Sequence, residues 1–79
     1  MKIPEILRAY RKEHSLSLSR FAKLYGFDKG EISRWENEKR VLSIGSVLEL
    51  HEKLGLSLTE LLQAWVDDAI EHDRKKRAS

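Results

Sequence analysis

The chain has no cysteine, one proline and only four glycines among its 79 residues. Without cysteine there can be no disulfide and no thiolate metal site. His14, His51 and His72 stand too far apart for metal-ligand spacing, so neither a metal nor a cofactor is expected. No apolar run approaches the roughly 20 residues that a membrane-spanning helix needs. Nothing at the N-terminus has the look of a secretory apolar region. A cytoplasmic protein with no membrane partner is therefore the expectation. No nucleophile–base set, carboxylate pair or glycine-rich phosphate loop is evident either, so an enzyme is not expected. The length allows one domain with a small core.

What the chain does have is charge of both signs, unevenly spread. Residues 1–40 carry ten Lys/Arg against six Asp/Glu, a balance of +4, and residues 41–79 carry five against seven, a balance of −2. A basic half beside an acidic half fits a protein with one face on phosphate. An ordinary mixed-charge surface would give the same tally.

The apolar residues recur at helical spacing, with no sustained alternation, and so predict an all-α fold. Pro4 suits the first turn of a helix that carries Leu7, Tyr10 and Arg11 and ends near His14 and Ser15. Ser17 is an N-cap for a second helix with Phe21, Ala22 and Tyr25 inside, and Gly26 is its stop. Asp28 caps a third helix, with Glu31 completing a capping-box pattern and Ile32 and Trp35 facing inward. Residues 37–40 read as a polar loop. Ser43 opens a fourth helix, with Ile44, Val47, Leu48 and Leu50 along it, that stops at Gly55. Ser57 and Glu60 open a fifth. Its stripe, Leu58, Leu61, Leu62, Trp65, Val66, Ala69 and Ile70, runs for about three turns. The charged end, residues 73–79, reads as solvated and frayed.

Two capped short helices about eleven residues apart, joined by Tyr25-Gly26-Phe27-Asp28, make a helix-turn-helix arrangement. Ala22 is small enough for close helix approach. Gly26 permits the sharp turn. Phe27 and Ile32 fill the space between the helices, and the outer face of the third helix is left for a major groove.

The stretch from Leu7 to Leu62 resembles the Cro/phage-repressor (lambda-repressor-like) type of helix-turn-helix DNA-binding domain. The matching residues are Leu7, Arg11, Leu16-Ser17, Phe21-Ala22, Tyr25-Gly26-Phe27, Ile32-Ser33-Arg34-Trp35-Glu36-Asn37, Lys39-Arg40, Ile44, Val47-Leu48, Leu54-Gly55-Leu56-Ser57 and Glu60-Leu61-Leu62. The resemblance implies a five-helix domain over residues 1–62, here with a C-terminal helical extension over 63–79. It also implies sequence-specific binding of double-stranded DNA, usually as a homodimer on a near-palindromic operator. Carried over, it places Lys29, Gly30, Ser33 and Arg34 on the base-reading face. Lys29 and Arg34 can donate to guanine O6 and N7, whereas Gly30 allows only close approach and Ser33 discriminates weakly. A solvated helix face with two ordinary cations is the bland alternative. Phosphate contacts fall to Ser17, Ser19 and Arg20 at the start of the second helix, and to Asn37, Lys39 and Arg40 beyond the third. For Lys39 and Arg40 a plain solvated loop is the alternative. Arg11 and Glu36 match a partly buried structural salt bridge.

Three positions depart from the family pattern. Leu18 stands where Gln is common, which removes a phosphate contact. Glu38 stands where Gly is common, and its charge opposes phosphate. His51 replaces a small residue and reads as a packing histidine. The stripe of Trp65, Val66, Ala69 and Ile70 either folds back on its own domain or forms a two-fold contact with a second chain, and the size of Trp65 favours the contact. The leading expectation is a transcriptional regulator, most simply a repressor. An antitoxin-like module with a protein partner, and an interaction module that has lost DNA binding, are the alternatives.

Overall fold

The computed structural model describes residues 2–37 and 41–78. These form five helices, α1 (Ile3–Glu13), α2 (Leu18–Tyr25), α3 (Lys29–Glu36), α4 (Ile44–Leu54) and α5 (Leu58–Ala78), and no strand is present among them. The chain divides into two compact units, one spanning Pro4–Arg40 and the other combining Met1–Ile3 with Val41–Ser79.

The helix ends lie where the capping chemistry puts them. Ser17, Asp28 and Ser43 are extended N-caps whose side chains accept from the backbone N–H three residues on. Gly26 (φ 70°) and Gly55 (φ 69°) close α2 and α4 in the left-handed conformation. The end of α1 was not foreseen in this form. Ser15 adopts φ 53° without being glycine. Its N–H donates to the Lys12 carbonyl at 3.2 Å, and that of Leu16 to the Arg11 carbonyl at 2.8 Å, the paired bonds of a Schellman stop.

In the Pro4–Arg40 unit, Leu7, Phe21, Ala22, Ile32 and Trp35 are buried. Around them runs a chain of rings. Phe21 stacks on Phe27 with centroids 5.8 Å apart, and Phe27 meets Trp35 edge-on at 6.0 Å. Tyr10 meets Phe21 edge-on at 6.0 Å and stacks on His14 at 4.1 Å.

The other unit packs Ile3, Leu42, Val47, Leu50, Leu61 and Ala64. Its α5 runs without a break from Leu58 to Ala78. Residues 73–78, the charged end expected to fray, are helical. Glu71 pairs with Lys75 at 3.1 Å and Asp73 with Arg77 at 3.0 Å, one turn apart. Cations in the last turn also suit the negative end of the helix dipole. Trp65 is half-buried, and its indole N–H donates to the Leu42 carbonyl at 2.7 Å. The indole is thus engaged within its own unit, while Val66 (42%) and Ile70 (45%) stay exposed. Ile44 and Leu48 of α4 are exposed as well.

Candidate nucleic-acid interface

The Pro4–Arg40 unit contains the whole helix-turn-helix, and its local geometry follows from a few contacts. Gly26 turns the chain after α2, and the Phe27 N–H reaches back to the Ala22 carbonyl at 2.8 Å. Asp28 then starts α3 by accepting from the Glu31 N–H at 2.9 Å. Glu31 in the first turn adds negative charge at the positive end of the dipole. Phe21, Ala22, Ile32 and Trp35 point inward, so the opposite faces of α2 and α3 are free to meet solvent or a ligand.

The four expected base-reading residues share one helix. Lys29, Gly30 and Arg34 are exposed and Ser33 is half-buried. Ser33 Oγ accepts from Asn37 Nδ2 at 3.3 Å, which links a base-reading position to a phosphate position. A Cβ at Gly30 would lie 3.2 Å from Asp28 Oδ2, a tight contact with the N-cap carboxylate, and 3.6 Å from Arg34 Nη1, an ordinary van der Waals distance. The Arg34 guanidinium therefore extends back along α3 toward Gly30.

Of the expected phosphate contacts, Ser17, Ser19, Arg20 and Asn37 are exposed. Ser17 Oγ already accepts from the Arg20 N–H at 3.1 Å as the N-cap. Lys39 and Arg40, and the departing residue Glu38, lie outside the described residues. Leu18 is half-buried. Ser17, Ser19, Arg20, Lys23 and Leu24 line a shallow groove of about 600 Å³ on α2.

Arg11 and Glu36, the two residues singled out through the resemblance, form an ion pair. Arg11 Nε donates to Glu36 Oε2 at 2.6 Å and Nη2 to Oε1 at 2.7 Å, a bidentate arrangement. Arg11 Nη1 also donates to the Leu16 carbonyl at 3.1 Å. One guanidinium thus ties α1 to the end of α3 and to the start of α2. Its hydrogen bonds with Glu36 raise its pKa further above the already high arginine value. Sequence reasoning missed Arg8, which donates to the Glu36 carbonyl. It lies three residues before Arg11, so the two project from one face of α1, and that spacing was the available signal. Also missed was the hydrogen bond between the Tyr10 and Tyr25 hydroxyls, at 2.7 Å, which joins α1 to α2. It holds the Tyr10 phenol in its neutral form, and with burial pushes its pKa up to about 12.

His51 sits half-buried in α4, where Nδ1 donates to the Leu56 carbonyl at 2.6 Å, in keeping with a packing role. Among the described residues no cluster of His, Asp and Glu could hold a metal, and no helix is long and apolar enough to cross a membrane.

Comparison with curated proteins and with solved structures gave no match. A family model described as helix-turn-helix matches residues 7–61, which covers all of α2 and α3 and the ion pair that holds them. The chain therefore belongs to the helix-turn-helix family of the Cro/phage-repressor type, an all-α family of DNA-binding proteins.

Proposed function

We propose that the chain is a sequence-specific transcriptional repressor of the cytoplasm that reads the major groove with α3. The observation that carries this reading is the row of exposed Lys29, Gly30 and Arg34 and half-buried Ser33 on a helix capped at one end and clamped by Arg11 and Arg8 at the other. A rigid element holding a few donors is what direct base readout requires. Arg34 offers guanine a bidentate fork and Lys29 a single donor. Ser17, Ser19, Arg20, Asn37, Lys39 and Arg40 supply the phosphate contacts that set register and salt dependence.

The reading includes a homodimer on a near-palindromic operator. Val66 and Ile70 present an apolar strip one turn long on α5. From Leu58 to Asp73 this helix carries acidic side chains and no Lys or Arg, whereas residues 74–77 are all basic. Two antiparallel copies of α5 would set each basic end against the other's acidic stretch, around a centre of Val66 and Ile70. A two-fold pair would present its recognition helices about 34 Å apart, one turn of DNA.

Selection of duplexes from a random pool tests the central claim. A single enriched site with two-fold symmetry is expected, and failure to enrich any site at about 100 mM salt would sink the reading. Arg34→Ala should cost about 1–3 kcal/mol on that site and relax one base position in each half. Sedimentation of Val66→Ser/Ile70→Ser beside the wild type tests the pairing, and identical monomeric profiles would reject it.

A further inference from the structure

The groove on α2 contains a side chain that DNA binding does not use. Leu24 is 63% exposed, more than any other large apolar residue described as exposed. It lies one position after Lys23 and four after Arg20, so the three share a helix face. No acidic residue occurs anywhere in α2. Neither Arg20 nor Lys23 forms an ion pair among the described residues, whereas Lys53, Lys75 and Arg77 each have a carboxylate one turn away. Two cations without a described ion-pair partner thus flank a solvent-facing leucine in a depression of about 600 Å³.

The chemistry of the occupant follows. A phosphate would neutralise Arg20 and Lys23 but leave Leu24 in water. A purely apolar segment would cover Leu24 and strand the charges. A segment with Asp or Glu on either side of a large apolar side chain satisfies all three residues. We propose that the α2 groove is a docking site for an acidic, apolar-centred segment of a partner protein, with Leu24 as its buried contact and Lys23 and Arg20 as its charge partners. None of Lys29, Gly30, Ser33 and Arg34 lines the groove, so an occupant leaves the base-reading side chains free. Ser17, Ser19 and Arg20 belong both to the groove and to the expected phosphate anchor. Occupancy and DNA binding therefore influence one another at these three residues.

The test uses the whole chain and a labelled synthetic peptide with a leucine flanked by glutamates. Controls replace the glutamates by lysine or the leucine by serine. Fluorescence anisotropy should show the acidic peptide bound about tenfold more tightly than either control. Leu24→Ala should weaken that peptide by about tenfold, the scale of one buried leucine side chain. Lys23→Glu should weaken it at least as much, through repulsion. Both variants should keep the wild-type melting temperature and affinity for duplex DNA. An undiscriminating wild type, or Leu24→Ala binding the peptide as wild type does, overturns the proposal. So does a Lys23→Glu variant that loses DNA affinity and keeps peptide affinity, an outcome that makes the groove a backbone contact. The peptide arm needs no DNA, so its result stands apart from the fate of the repressor reading.

Discussion

The unit that carries the helix-turn-helix and the unit built on α4 and α5 achieve order by different means. The first relies on rings and on an ion pair. Five aromatic residues, Tyr10, Phe21, Tyr25, Phe27 and Trp35, connect by stacked, tilted or edge contacts, and Arg11 grips Glu36 with two hydrogen bonds. The second relies on aliphatic side chains and two polar groups aimed at backbone. Asp68 accepts from the Ile3 N–H at 3.1 Å, and Trp65 donates to the Leu42 carbonyl at 2.7 Å. The difference matches the tasks proposed for them. A reading helix must keep its side chains in fixed positions, which directional ion pairs and ring contacts enforce. A helix that offers Val66 and Ile70 to a second chain needs only to hold its inner face.

The largest expected effect tests the ion pair. Arg11→Ala leaves the Glu36 carboxylate, only 7% exposed, without its bidentate partner. Breaking one side of a buried pair costs about 3–5 kcal/mol, and the remaining exposure of Arg11 places this case near the lower figure. Lys12, exposed on the same helix, serves as control. Urea unfolding followed by Trp35 fluorescence, in a Trp65→Phe background, should show the loss for Arg11→Ala and little change for Lys12→Ala. Equal midpoints would mean that the rings alone hold the unit.

Next in size is the corresponding test in the second unit. Asp68 is a buried acid whose carboxylate accepts the first N–H of α1. Asp68→Ala should cost about 2 kcal/mol, the scale of a buried donor left without its acceptor. Lys2 and Glu71 form an ion pair beside it, and Lys2 and then Lys75 hold the Glu71 carboxyl below its ordinary pKa. Trp65 fluorescence, in a Trp35→Phe background, reports the change. If Arg11→Ala proves the milder of the two, the comparison between the units is reversed.

The two units also differ in how far the sequence disclosed them. Ser17, Gly26, Asp28, Ser43 and Gly55 act locally, through their own φ and through neighbours three or four residues away, so composition and spacing exposed them. The Arg11–Glu36 pair spans 25 positions and became legible through the family resemblance. Nothing local signals that Asp68 meets Ile3 across 65 positions, or that Trp65 turns its N–H to Leu42 across 23. Periodicity marks which face of α5 is apolar but not what it meets, and Trp65 therefore read as a candidate for a second chain. Arg34 became a candidate base reader through the family resemblance. That its guanidinium lies back toward Gly30 depends on a rotamer, which a sequence does not contain.

A smaller effect separates the rings from the hydroxyls within the first unit. Tyr25→Phe keeps the aromatic contact and removes the bond to the Tyr10 hydroxyl, at a cost of about 1 kcal/mol near neutral pH. The pH dependence has a definite sign. Tyr10 holds its proton up to about 12 in the folded chain, above the ordinary 10. The folded state then binds more protons than the unfolded state between those values. The contribution is complete below pH 10 and is lost as pH rises toward 12. Absorbance titration of the phenols, beside melting curves across that range, should show a steeper loss of stability for the wild type than for Tyr25→Phe. Parallel losses would assign the alkaline sensitivity elsewhere.

The smallest effect concerns helix ends, where the units again differ. Gly55 closes α4 in the second unit at φ 69°, whereas Ser15 closes α1 in the first at φ 53°. A side chain in the left-handed region costs about 1–2 kcal/mol. Glycine there avoids that cost but adds about 0.5–1 kcal/mol of unfolded-state entropy. Ser15→Gly should therefore stabilise by about 0.5 kcal/mol, which raises the melting temperature of a domain this size by about 2–4 °C. Gly55→Ala is the mirror experiment. A Cβ at Gly55 meets nothing within 4 Å, so its penalty is conformational and not steric. It should lower stability by about the same 0.5 kcal/mol, by the reverse of the same two terms. Opposite shifts of similar size would assign both stops to backbone conformation. A lower melting temperature for Ser15→Gly would show that the Ser15 side chain stabilises this stop by more than its strain costs, and that the end of α1 is tuned by more than its φ.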